Sequence, residues 1–303
     1  MGALDRLPAC ATTGVGSLPF TDPAEAAAHA VAAYDLPFCP QLPRVEGDMI
    51  AEWLGADPRR CGWSPERDHE WPRAWRAWIE RLALEPPEHG LVKLQVTGPL
   101  TLACALERER DGPPSRRTTL MLALEVARWL AATTASQVRT LAERGLTALV
   151  VVDEPALAAF GTDGAEEVWD PLRASSPLWG LHLCCAVPWE LIERAEPSVI
   201  SFDLGLEPVT TRAADVLSRL AARGARIAWG CVPVDGNGET AAGDLLTGAL
   251  RRSGLEGEQS LVTAACGTGR VSARRERAIA CELGGLRRSV RLTAPGPGAR
   301  PSQ

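Results

Sequence analysis

Histidine is scarce in this chain, four residues in 303, and one of the four opens the tripeptide His182-Leu183-Cys184. Alternate side chains of an extended strand share a face, so His182 and Cys184 project together while Leu181 and Leu183 project the other way. Cys185, next in line, should turn away from Cys184. A nitrogen and a sulfur on one face are donors that zinc accepts, together with carboxylate oxygen, and a catalytic zinc site keeps one position for substrate. Cys266 and Asp203 end neighbouring predicted strands and are the groups that would complete the set. The same tripeptide also suits a plain core strand, since cysteine and hydrogen-bonded histidine are often buried. A second chemistry lies in Asp153-Glu154, where Glu154 is a candidate general acid. The stretch with Pro155 also reads as a strand end followed by a helix start.

Elements must hold these residues together. Eight short apolar runs recur along the chain, at 9–17, 36–42, 91–97, 146–154, 178–184, 198–204, 226–232 and 260–266. Helical periodicity separates them, most clearly at 22–34, 116–144, 188–194, 211–223, 240–253 and 272–288. The long connection 45–90 has room for two helices. Near-continuous apolar strands imply a parallel sheet covered on both faces. The expectation is an α/β fold, a single (β/α)8 TIM barrel over 1–292, with a Pro- and Gly-rich disordered tail at 293–303. A doubly wound open sheet is the alternative. Active sites of such barrels form at the C-terminal ends of the strands. Those ends carry Gly16-Ser17, Gln41, Thr97-Gly98-Pro99, Asp153-Glu154, His182-x-Cys184, Asp203 and Cys266-Gly267-Thr268-Gly269.

Composition excludes several classes. A net charge of −6 gives no footprint for nucleic acid or an anionic membrane. No run of about 18 apolar residues is present, and the N-terminus lacks the pattern of a secretory signal. Nine scattered cysteines fit reduced thiols in the cytoplasm better than a disulfide framework. Lys93 is the only lysine, all the other Lys/Arg-type residues being arginine, as in a GC-rich genome. Trp71, Trp75 and Trp78 lie at helical spacing and read as a packing face, with stacking on a planar cofactor the other use. Residues 266–270 are an anion cradle or a simple turn into the last helix. His29, His69 and His89 read as surface residues. GVGS is too short for a dinucleotide fingerprint.

The stretches TTGVGSLP (12–19), GDMIAEW (47–53), VTGPLTL (96–102), VVDEPAL (151–157), HLC (182–184), VISFD (199–203) and ACGTG (265–269) run in one order over about 260 residues. In these landmarks the chain resembles the C-terminal catalytic barrel of cobalamin-independent methionine synthase. That superfamily also contains uroporphyrinogen decarboxylase. The resemblance implies a zinc ion that activates a thiol toward a methyl group, with His182, Cys184 and Cys266 at three ligand positions. The fourth family ligand is a glutamate; Asp203 stands there, one methylene shorter, and Glu207 is a possible substitute. Gly16 and Ser17 match residues that hold the carboxylate of an amino-acid substrate, and Asp153 matches a carboxylate that pairs with its amino group.

The chain departs from the family in three places. It has one barrel where the full enzyme has two. QLPRVEG (41–47) replaces the stretch that carries a substrate-binding glutamate, leaving Glu46 nearby. GCVPVDGNG (230–238) has no histidine where the family has a proton donor, and Asp235 is the acid at hand. The resulting expectation is a zinc-dependent methyltransferase acting on a small thiol, homocysteine by resemblance. The methyl donor is methyl-tetrahydrofolate or a methyl-corrinoid protein, the latter needing no such proton. A decarboxylase-like tetrapyrrole enzyme and a non-catalytic barrel that docks a corrinoid protein are the alternatives.

Overall fold

The computed structural model describes residues 2–55, 64, 71–108, 115–236 and 241–293, with side chains through residue 290. Seven strands form one parallel sheet: β1 (Ala11–Thr12), β2 (Leu91–Thr97), β3 (Thr147–Asp153), β4 (Leu178–Leu183), β5 (Val199–Asp203), β6 (Arg226–Val232) and β7 (Ser260–Ala264). Their order is β1-β7-β6-β5-β4-β3-β2. Each strand is followed by helix, as parallel crossovers require. The helices that matter for the site are α1 (Pro23–Ala32), α2 (Ala51–Leu54), α3 (Arg73–Leu84) and α4 (Pro99–Arg108). Among the described residues no helix is long and apolar enough to cross a membrane.

The two faces of the sheet differ, and the sequence alternation explains how. Val92, Leu94 and Val96 of β2, Ala148, Val150 and Val152 of β3, and Leu181 and Leu183 of β4 join a large core cluster with the surrounding helices. The alternate residues Leu91, Leu149, Val151, Val199, Ala228 and Leu261 form a second cluster with Leu4 and Leu7 of the N-terminal turn. Residues from β2, β3, β5, β6 and β7 can meet in one cluster only if the sheet curls, so this is its inner face. Further along the strands the inner face becomes polar, at Lys93, Gln95, Asp153, His182, Ser201 and Thr263, all buried.

Among the described residues the strand count is seven, not the eight expected. Residues 36–42 are held between neighbours by two isolated parallel bridges, Ser17↔Gln41 and Phe38↔Lys93, and not by a continuous ladder. Pro37 and Pro40 lack the N–H groups a strand needs. The first strand is also shorter than 9–17. Cys10 has a positive φ of 49°, and the ladder proper covers Ala11–Thr12 alone. Beyond it Gly14 lies under the Phe38 ring, at 2.4 Å from where a Cβ would stand.

Other boundaries follow the periodicity closely. Asp22 caps α1 through its side chain, which accepts from the Ala24 N–H. The connection after residue 45 contains α2 and α3. Trp75 and Trp78 of α3 are buried with ring centroids 5.9 Å apart, and Trp71 stacks on Trp75, so the tryptophan stripe packs. The last helix (Ala273–Thr293) runs to Thr293, which the sequence placed in the tail; residues 294–303 lie outside the described residues. Two histidines are not surface residues. His29 Nε2 is 2.8 Å from Glu276, and His89 accepts the Leu91 N–H at Nδ1 and bonds the Asp35 carbonyl through Nε2. His69 lies outside the described residues.

Candidate active site

Parallel register sets the site's height in the sheet. Thr97 pairs with Asp153, Asp153 with His182, and His182 with Ser201. At the C-terminal ends of these strands lies a cavity of about 390 Å³, lined among others by Ser17, Gln41, Asp153, His182, Cys184 and Cys266. That volume suits a small ligand.

His182, Cys184 and Cys266 offer donor atoms that all lie within 4.8 Å of one another. β4 supplies the first two and the turn after β7 the third. His182 Nδ1 is 2.9 Å from Ser201 Oγ, while its Nε2 is buried with no hydrogen-bond partner. A buried polar atom without a partner is costly, and a ring held through its other nitrogen is the usual setting of a metal-bound histidine. The hydrogen bond from Cys184, then the nearby His182 ring, holds the Cys266 thiol below its ordinary range. The same bond with Cys266, then burial, raises Cys184. One sulfur is thus thiolate-like and ready as a ligand. Cys185 packs against the outer core, as alternation requires.

Ser17 joins the first strand segment to the Cys266 turn. Its carbonyl accepts from the Thr268 N–H at 2.9 Å and the Thr268 hydroxyl at 3.1 Å, and its Oγ accepts from the Gly269 N–H at 3.3 Å. A Cβ on Gly267 would lie 2.1 Å from Ser17 Oγ. Gly16 is also tightly placed, a Cβ there standing 2.8 Å from Gln41 Oε1 and 2.9 Å from Gln95 Cγ.

Asp153 lines the cavity and is 8% exposed. Burial raises its pKa, opposed by His182, Lys93 and the Gln95 hydrogen bond. Beneath it Lys93 is buried; burial lowers its pKa, opposed by Asp153. Each charge opposes the shift that burial imposes on the other.

The other expected residues sit elsewhere. Asp203 lies outside the three-donor group, and its Oδ1 accepts from the Gly205 N–H at 2.7 Å. Glu207 accepts from Trp189 Nε1 at 3.0 Å and from the Val187 N–H. Glu154 is fully buried and turned toward α4. It accepts from the N–H groups of Leu100 and Thr101, the Thr101 hydroxyl and Trp169 Nε1. Burial pushes its pKa up to about 7, these hydrogen bonds pulling it down. Glu46 accepts from the Arg73 N–H at 2.7 Å, at the start of α3. Asp235 is exposed and is not part of the cavity wall.

Glu52, Lys93, Gln95 and Ser201 carry no role in the sequence reading, which placed Gln41 at a strand end of the pocket. Gln41 donates to Glu52 at 2.6 Å, and burial of the Glu52 carboxyl pushes it up to about 8. Lys93 and Gln95 occupy the inner face of β2, and Ser201 that of β5. The two-residue alternation that places His182 and Cys184 together finds these as well, once the inner face is known.

No protein-family profile matches the chain, and no curated protein matches it in sequence. Solved structures do. A methyltransferase from Methanosarcina mazei is 13% identical with a TM-score of 0.55, over 95% of this chain and 96% of that one. A Listeria monocytogenes protein to which vitamin-B12-independent methionine synthase activity is ascribed is 13% identical, TM-score 0.48, over 70% of this chain and 69% of that one. An intracellular xylanase from Thermoanaerobacterium saccharolyticum is 10% identical, TM-score 0.49, over 86% of both chains. At such identities the likeness to the Methanosarcina protein is one of fold.

Proposed function

We propose that this chain is a zinc-dependent methyltransferase that methylates a small thiol, with homocysteine as acceptor and methionine as product. The observation that carries the reading is the His182–Cys184–Cys266 group, with a partnerless buried Nε2 at the mouth of a small-molecule cavity. Nitrogen and two sulfurs fit zinc among common metals, and three protein donors leave a fourth position exchangeable. Zinc held there would supply a thiolate at neutral pH, where a free thiol is mostly protonated.

The chain's own residues do the rest in this reading. Ser201 fixes the tautomer and plane of His182. Ser17 and the glycines of the Cys266 turn give the ligand backbone-lined wall. Asp153 takes a cationic group of the acceptor. Glu154 acts on the site through α4, as a positioning residue. The fold is read as a (β/α)8-type barrel whose second strand is reduced to two bridges, in a protein of the cytoplasm. The acceptor sulfur, its proton released, forms the S–C bond as the C–N or C–Co bond breaks; the departing nitrogen or cobalt keeps that electron pair, and the nitrogen, but not the cobalt, is protonated. With methyl-tetrahydrofolate the departing nitrogen takes up a proton, and Asp235, exposed outside the cavity wall, is the acid proposed to supply it; a methyl-corrinoid protein needs none. Of the alternatives, a tetrapyrrole decarboxylase leaves the three-donor group unused.

The test is direct. Zinc-loaded protein is incubated with homocysteine and either methyl-tetrahydrofolate or methylcobalamin, and methionine is measured. Formation with one donor, abolished in Cys266→Ser, is expected. No methionine from either donor contradicts the reading.

A further inference from the structure

Lys93 is the only lysine of a chain whose remaining Lys/Arg-type residues are all arginine, and it is 4% exposed inside the curled sheet. Its Nζ donates to the Val15 carbonyl at 2.6 Å and to Gln95 Oε1. Gln95 Nε2 in turn donates to Asp153 Oδ1. A lysine can only donate and a carboxylate can only accept, so the amide between them has one orientation. The void beside Lys93, Gln95 and His182 measures about 20 Å³, room for one water and none for a guanidinium. Neither side chain can swing. One oxygen of Asp153 is therefore fixed from below, and no described residue engages the other at the cavity wall.

We propose that Lys93 and Gln95 are positioning residues that aim the Asp153 carboxylate at the ammonium group of an α-amino thiol. The proposal rests on the methyl-transfer reading and names what that site selects. The cavity wall carries the carboxylates of Asp153 and Asp48 and the exposed Arg270, while Lys93, the cation linked to Asp153 through Gln95, is sealed beneath it. A cationic group on the ligand replaces the water lost there, and a thiol lacking it leaves Asp153 unpaired. Lysine serves here because a compact ammonium fits the space and a planar fork does not.

The experiment measures binding of homocysteine and of 4-mercaptobutyrate, which lacks the amino group, to zinc-loaded wild type, Lys93→Met and Gln95→Met by calorimetry. Wild type should prefer homocysteine. Both variants should lose roughly tenfold to a hundredfold of that affinity while binding 4-mercaptobutyrate as before. Their zinc content should not change, because neither residue is a metal donor. Equal losses for both thiols, or an intact preference in folded variants, would overturn the relay and leave the methyl-transfer reading standing. Failure of wild type to bind either thiol overturns both. Should Lys93→Met not fold, Gln95→Glu keeps the volume and the Lys93 acceptor while removing the donor to Asp153. Its preference for homocysteine must then fall.

Discussion

His182 shows how much one side chain's surroundings decide. Its Nδ1 is held by Ser201 and its Nε2 is buried without a hydrogen-bond partner, beside the sulfurs of Cys184 and Cys266. If Nε2 is a metal donor, Ser201 accepts the Nδ1 proton and fixes the ring. Ser201→Ala should then weaken zinc affinity roughly tenfold while leaving about one ion per chain at saturating metal; competition with a chromogenic chelator reads this. Unchanged affinity would mean that the ring is held by packing alone. Asp203 provides the contrast. Its carboxylate is used by the Gly205 N–H, outside the donor group, so Asp203→Ala should keep its zinc. Loss of zinc in that variant would restore it as a ligand.

At the scale of elements, the strand-to-helix turn at 97–101 ties the site to the fold. Pro99 opens α4 at a position where its missing N–H costs nothing. Glu154, from the end of β3, satisfies the helix's first free N–H groups. Gly98 makes this possible, since a Cβ there would stand 2.1 Å from the Glu154 carboxyl carbon. Gly98→Ala should lower stability by about 1–3 kcal/mol through overpacking, seen in urea unfolding. A neutral result would show that Glu154 can move. The turn also shows what a sequence displays and what it hides. TGP and DEP are visible as strand ends, but their mutual contact is not, because nothing in either stretch states that one carboxyl crosses to the other's helix. The same limit applies to 36–42. Its apolar pattern reads as a strand, while Pro37 and Pro40 decide against the ladder. By contrast β2 and β6 begin and end where their apolar runs do, since strands buried on both faces carry the strongest signal. His182, Cys184 and Cys266 were legible from alternation and strand ends. The Lys93–Gln95–Asp153 chain was not, because it needs the curl that brings β2 under the cavity.

Across the whole molecule, buried carboxyls couple stability to pH. Burial raises Glu154 to about 7 and Glu52 to about 8, each from a reference of 4.5. Both bind a proton more tightly folded than unfolded. Their stabilising contribution is complete below the reference value and is lost as pH rises through the folded values. The thermal midpoint should fall from about pH 5 to about pH 8.5, less steeply in Glu52→Gln. A midpoint that rises over that range contradicts the assignment. The central claim, that β4 and the turn after β7 assemble one metal-dependent thiol site, is tested most directly by metal content. Reduced, purified wild type is measured beside Cys184→Ala and Cys266→Ala. The account predicts about one zinc per chain in wild type, by the stoichiometry of a single three-donor site, and loss in both variants. A metal-free wild type that takes up no added zinc, or variants that keep the ion, would contradict it.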